Sequence, residues 1–218
     1  MRELADHIGS RLAHVTPARN LPSIRVTGIW PAAHLATRAG TDPNAIALRA
    51  HRLRLTGGGI DAALTHQKPI LDGIAAARRM LDGHDPESWA RHLDERVFFW
   101  PEARGAAFRA SIARDLPLAV LWFSTDALLA AHAARIALSP INSGNFRQGG
   151  ARARRGDWLF VSATDGLPAF RENRRRRGLA RGPDRVAELS LAGGLDPDAL
   201  AACLLAIEAP PGCNPDGP

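Results

Sequence analysis

Leu4, Ile8 and Leu12 recur at helical spacing, so residues 3–12 read as a first helix. Residues 12–16 then read as a strand, with His14 and Thr16 on one face of it. Asn20 suits an N-cap, Pro22 is tolerated in a first turn, and Gly28 fits the end of the helix between them. A short helix from Pro31 to Arg38 closes at Gly40. Residues 48–66 stay ambiguous, because Leu48, Leu53 and Leu55 flank arginines and Gly57-Gly58-Gly59 breaks whatever precedes it. Ile70, Ile74, Ala77 and Leu81 share one face of a helix from Pro69 to Leu81, and Pro86 opens the next helix.

The second half is richer in strands. Val97–Trp100, Leu116–Phe123, Arg135–Leu138, Asp157–Val161 and Arg185–Leu191 are apolar enough to be strands. Helices are expected from Glu102 to Arg114, from Asp126 to Ala134 and from Asp196 to Ile207. Residues 147–156 and 171–182 are rich in arginine and read as flexible basic loops. The proline-rich tail, residues 210–218, reads as disordered. Helices lead and strands follow, without repeats or a dividing linker. This order predicts an α+β fold in a single domain over residues 1–209.

Composition narrows the class. The 218 residues are 45% hydrophobic and 23% charged, ordinary for a globular chain. The net charge is +6, and Lys68 is the only lysine among the basic residues. A GC-rich codon bias accounts for that arginine excess more simply than any function does. A positive surface would still attract phosphates and polyanions. Cys203 and Cys213 make neither a disulfide framework nor a zinc set, and the histidines are scattered singly, so no metal is expected. The charged N-terminus is unlike a signal peptide, and no apolar run approaches the roughly 20 residues of a membrane span, which predicts a cytoplasmic protein. A monomer is the expected state.

The usual catalytic templates fail. There is no G-x-G-x-x-G after a strand, no P-loop, no H-E-x-x-H and no G-x-S-x-G. What remains is a set of short blocks: His14-x-Thr16, Asn20-Leu21-x-x-Ile24, Gly28-Ile29, Val97-Phe-Phe-Trp100, Ser139-Pro-Ile-Asn-Ser-Gly144 and Val186-Ala-Glu188-Leu-Ser-Leu191. Together they resemble DarT-type ADP-ribosyltransferases and related bacterial families. The resemblance is closest over residues 12–30 and loose between the blocks. RNA 2′-phosphotransferases share the H-x-T opening but need no late glutamate, and Glu188 favours ADP-ribosyl transfer.

The resemblance implies two small β-sheets facing across a cleft that holds NAD, with flanking helices concentrated in the N-terminal half. It implies Glu188 as the catalytic carboxylate. It gives His14, Thr16 and Asn20 as NAD-binding residues, and an arginine among Arg49, Arg52 and Arg54, with Arg52 chosen, as the diphosphate clamp. The family's tyrosine-rich block is replaced here by Phe98, Phe99 and Trp100. The chemistry is coherent. Cleaving the glycosidic bond of NAD builds positive charge on the ribose, which a carboxylate stabilises. An arginine can clamp a diphosphate bidentately.

Each residue taken alone has a plainer reading. His14 would bond to backbone, Asn20 would cap a helix, Arg52 would sit on a solvated face and Glu188 would face solvent. Ser139–Gly144 would be a turn, and Arg174–Arg177 a solvated loop. Their joint occurrence favours an NAD-dependent mono-ADP-ribosyltransferase whose acceptor is a nucleic acid, a protein or a small molecule. Two alternatives stay open: a 2′-phosphotransferase, and a non-catalytic nucleotide- or nucleic-acid-binding module. The two arginine-rich stretches are expected to recruit an acidic acceptor.

Overall fold

The strand around His14 is central to the molecule. The computed structural model describes residues 1–102, 104–105, 116–147 and 152–210. Helix α1 (Arg2–Ile8), strand β1 (Arg11–Pro17), helices α2 (Leu21–Thr27) and α3 (Ala32–Arg38) lead into a hairpin of β2 (Leu53–Gly57) and β3 (Ile60–Leu64). Helices α4 (Lys68–Leu71), α5 (Ile74–Met80) and α6 (Pro86–Asp94) precede β4 (Arg96–Pro101). Then come β5 (Leu118–Ser124), α7 (Thr125–His132), β6 (Ile136–Ser139) and β7 (Val161–Ser162). Helix α8 (Gly166–Arg176), β8 (Glu188–Ala192), α9 (Pro197–Cys203) and β9 (Leu204–Glu208) complete the described chain.

The fold is α+β. One seven-stranded sheet runs β7-β6-β8-β4-β1-β5-β9, every neighbour antiparallel, and the β2–β3 hairpin stands apart. This differs from two small facing sheets. The large sheet nevertheless has a weak seam. β1 pairs with β5 along its whole length, Arg11↔Ser124 to Pro17↔Leu118, but with β4 only at Leu12↔Pro101 and Ala13↔Trp100. Beyond Ala13 the β4-facing edge of β1 leaves the ladder.

Both sheet faces are covered. Leu12, Phe99, Leu121, Phe123, Leu189 and Leu191 alternate onto one face and pack with Leu4, Leu21, Leu128, Phe170 and Leu200 of the surrounding helices. Ala13, Val15, Trp100, Val120 and Trp122 form a smaller cluster on the other. A third cluster joins Ile70, Ala77, Trp89 and Leu93 of α4–α6 to Phe146 and Leu159.

Several elements differ from the sequence expectations. The helix expected over Pro69–Leu81 is broken at Asp72-Gly73, where an added Cβ on Gly73 would lie 2.2 Å from the Phe146 carbonyl oxygen. Residues 48–66 resolve into the hairpin. Gly58 and Gly59 form its two-residue turn with φ of 56° and 78°, values that the tightest hairpin turns require and glycine supplies without strain. Asp157–Leu159 is a 3₁₀ turn rather than part of a strand, and the closing helix stops at Cys203, where β9 joins the sheet edge. The basic stretch from residue 171 is the C-terminal half of α8, not a loop. The helix expected over Glu102–Arg114 and the tail from residue 211 fall largely or wholly outside the described residues.

Candidate functional site

Two groups of polar residues stand out, one on each side of the β1–β4 seam. The first begins at His14. Its ring is half-buried, and Nδ1 lies 2.9 Å from the carbonyl oxygen of Phe98 on β4. A carbonyl only accepts, so Nδ1 carries the proton. Burial lowers the imidazole pKa to about 4, partly offset by that bond, so the ring is neutral near pH 7. Nε2 is therefore a lone-pair acceptor, suited to a ligand hydroxyl.

Thr16 is buried on the same strand face. Its Oγ1 accepts from Asn20 Nδ2 at 3.0 Å. Asn20 Nδ2 also donates to the Ala63 carbonyl at 3.0 Å, and Asn20 Oδ1 accepts the Ala63 N–H at 2.7 Å. Asn20 makes no capping bond to α2; its amide instead clamps strand β3 against β1. His14, Thr16 and Asn20 line a narrow cavity of about 50 Å³ beside Gly28 and Trp30. Gly28 is needed there. Its φ is 87°, and an added Cβ would lie 2.1 Å from the Leu195 carbonyl oxygen, which accepts the Ile29 N–H at 2.8 Å.

The second group surrounds Glu188. The side chain is 1% exposed, against the solvent-facing default for an alternating strand, and sits opposite Ser139 across β6. The Ser143 N–H donates to Oε1 at 2.8 Å. Burial pushes the carboxyl up to about 7, against the opposing pull of the Ser143 hydrogen bonds and of the Arg104 and Arg155 guanidiniums. Glu188 is thus poised between its acid and base forms near neutral pH.

The loop after β6 delivers that N–H, and its position is fixed from two sides. Trp89 Nε1 on α6 donates to the Ser143 carbonyl at 3.1 Å. Arg155, 1% exposed, donates from Nη2 to the carbonyls of Asn142 at 3.0 Å and Asn145 at 2.8 Å, and from Nη1 to Ala153 at 2.7 Å. Burial lowers the Arg155 pKa to about 10 while Glu188 raises it. Arg155 therefore leaves the flexible loop expected for residues 147–156 and acts as a buried strut. Arginine-rich sequence carries no mark that separates this one from its exposed neighbours.

Above this group lies a larger cleft of about 430 Å³, lined among others by Arg104, Asn142, Arg155, Arg174 and Arg185. Arg174 is also buried. It pairs with Asp184 at 2.6 Å and donates to the Leu179, Gly182 and Pro183 carbonyls, bracing the turn before β8. Arg175 and Arg176, by contrast, are exposed and pair with Glu172 on their own helix.

The two groups are not brought into one pocket. Neither cavity is lined by both His14 and Glu188. Counting from Phe99↔Leu189 and Ala13↔Trp100, Glu188 alternates onto the face of Ala13 and Trp100, whereas His14 and Thr16 alternate onto the other. The diphosphate-clamp arginines also lie elsewhere. Arg52 is exposed and lines neither cavity. Arg49 is bound to Asp94 at 2.7 Å and to the Thr65 and Ile46 carbonyls, and Arg54 pairs with Asp61 at 2.7 Å. Among the described residues no group of three or more His, Cys, Asp or Glu is placed to hold a metal ion. No helix among them is long and apolar enough to cross a membrane.

Fold and site thus define an α+β protein with a buried glutamate, its carboxyl pushed up to about 7, beside an arginine-lined cleft. A family model described as a family of unknown function, DUF7002, matches residues 10–201, and the chain belongs to that family. No curated protein and no solved structure matches it.

Proposed function

We propose that this protein is an NAD-dependent mono-ADP-ribosyltransferase. The observation that supports it most is the Glu188 carboxyl, buried at the start of β8, held by the Ser143 N–H and tuned close to neutrality. That is the equipment for stabilising a ribosyl cation and accepting a proton. In its ionised form Glu188 faces the positive charge that develops at the ribose carbon as the bond to nicotinamide breaks. It then takes the proton that the acceptor loses as its new bond to that carbon forms. Neutral His14 accepts a hydrogen bond from a ribose hydroxyl through Nε2, and Thr16 lines the same wall.

Because His14 and Glu188 alternate to opposite faces and line no common cavity, NAD has to part β1 from β4 to touch both. The finer ADP-ribosyltransferase architecture of two sheets facing across a nucleotide cleft is part of this proposal. The β1–β4 seam supports it, since a ligand entering there separates the β1–β5–β9 side from the β4–β8–β6 side. The cleft's guanidiniums also suit the second reading, transfer of a 2′-phosphate from RNA to an acceptor hydroxyl, in which the phosphoryl group bonds to the acceptor oxygen and the RNA keeps a free 2′-hydroxyl.

The test is nicotinamide release from NAD by the purified protein, with mass spectrometry of added nucleic acid and protein. Release is expected in wild type. Glu188→Gln keeps size and hydrogen bonding but removes the charge, so turnover is expected to fall by about 10²-fold or more with NAD binding retained. No release in wild type, or full turnover in the variant, overturns the proposal.

A further inference from the structure

Among the described residues, the lining of the large cleft carries four arginines and no carboxylate. Arg174 is matched by Asp184. Arg155 is buried with its donors on carbonyl oxygens, and the acid that acts on it is Glu188, which burial leaves only partly ionised near pH 7. Two more guanidiniums line the same cleft. Arg104 is half-buried, its pKa lowered first by burial and further by the Arg185 charge, while Glu188 raises it. Arg185 is exposed at the mouth, three residues before Glu188. Among the described residues neither the Arg104 nor the Arg185 guanidinium makes a hydrogen bond or ion pair, and the Arg185 backbone N–H is held by the Pro183 carbonyl at 2.9 Å. Burying a guanidinium beside another cation is costly in the free protein unless an anion enters to satisfy them both.

We propose that this cleft is a phosphate-binding site, with Arg104 and Arg185 as its anion ligands and the Asn142 and Asn145 side chains on its wall. Guanidinium forks match phosphate oxygens bidentately, and the partial burial of Arg104 strengthens the attraction. The ligand is a phosphate ester or diphosphate. Its source is either the diphosphate of a dinucleotide or the backbone phosphate of an acceptor strand. The site differs from two expectations from the sequence: Arg52 as the clamp, and the arginine-rich stretches 147–156 and 171–182 as the recruiting surface. Arg52 lies outside the cleft, Arg174 is committed to Asp184, and Arg175 and Arg176 are committed to Glu172. The site stands on the charges of the cleft and does not require the transfer reaction.

The experiment is calorimetric titration of the full chain with inorganic pyrophosphate at low salt. Arg185→Ala should weaken binding at least tenfold and Arg104→Ala/Arg185→Ala should abolish it. Melting temperatures of the ligand-free variants should stay at or above wild type, since like charges are removed. Binding by wild type should fall steeply with added salt. Equal pyrophosphate affinity in wild type and the double variant overturns the proposal, as does the absence of binding in wild type. Displacement by NAD assigns the site to the dinucleotide's diphosphate, and displacement by a short single-stranded oligonucleotide assigns it to an acceptor. Displacement by neither marks an adventitious anion site and also overturns the proposal. Nicotinamide release, measured separately, keeps the two questions apart: pyrophosphate binding without release leaves this site standing and removes the transferase reading.

Discussion

At the scale of single residues, the burial of Glu188 costs the fold stability at high pH. In the unfolded chain its carboxyl ionises near 4.5; in the fold burial holds it up to about 7. Below the lower value both states are protonated and the group is neutral to stability. Between the two values the unfolded state loses its proton first, so the fold weakens as pH rises. Above the upper value the penalty is complete, on the order of 3 kcal/mol. Glu188→Gln should therefore melt several degrees higher than wild type at about pH 8 and level with it at about pH 4. Thermal melts at both pH values check this; a variant no more stable than wild type at high pH would show that the carboxylate is not desolvated. Arg155 behaves in the opposite sense. Arg155→Met leaves the carbonyls of Asn142, Asn145 and Ala153 without its donors and should cost about 3–5 kcal/mol in urea unfolding. Arg155→Lys, with a point charge in place of the fork, should recover only part of that.

At the scale of elements, one amide ties the hairpin to the sheet. Asn20 links Thr16 of β1 to both backbone groups of Ala63 on β3. Asn20→Ala removes those bonds and leaves the buried Thr16 hydroxyl without its donor, a loss of about 2 kcal/mol. The effect should be local. Hydrogen exchange should accelerate at Ala63 and across the hairpin, with the β1–β5 ladder nearly unchanged; uniform acceleration would mean that the hairpin unfolds only with the whole. The same spacing that suggests a helix cap at Asn20 is used here for a long-range clamp. Nothing in a local window distinguishes the two, because the partner is 43 positions away. Helix α8 carries the same lesson. Its arginine run reads as a loop because charges dominate the composition, yet Leu167 and Phe170 bury one face and the Arg174 guanidinium caps the following turn with protein oxygens.

At the scale of the whole molecule, the proposed function turns on the seam between β1 and β4. If NAD occupies it, exchange should slow together at residues 14–16 of β1 and 98–100 of β4, with the outer β5–β9 pair unaffected. Protection confined to residues near Glu188 would place the ligand in the arginine cleft alone and leave His14 a structural histidine. The ladder here is short: Leu12↔Pro101 and Ala13↔Trp100 pair, and the His14 ring reaches the Phe98 carbonyl beyond them. Arg155, Trp89 and Ser143 meanwhile hold the Glu188 carboxyl from the opposite direction, so opening the seam need not disturb it.

Sequence alone determined the α+β class, the strands around His14, Val97 and Glu188, the α2 helix that ends at Gly28, and the residue types that can carry chemistry. These are properties of local periodicity and of side chains, and they survive without knowledge of partners. Tertiary structure decided that Glu188 is buried rather than solvent-facing, that Arg155 and Arg174 are struts, and that Arg52 lies apart from the site. It also decided that His14 and Glu188 alternate to opposite faces. Burial, ion pairing and strand register are set by contacts between distant segments. An arginine or glutamate changes its role with the dielectric and the partners that the fold supplies, and neither is written in its neighbours along the chain.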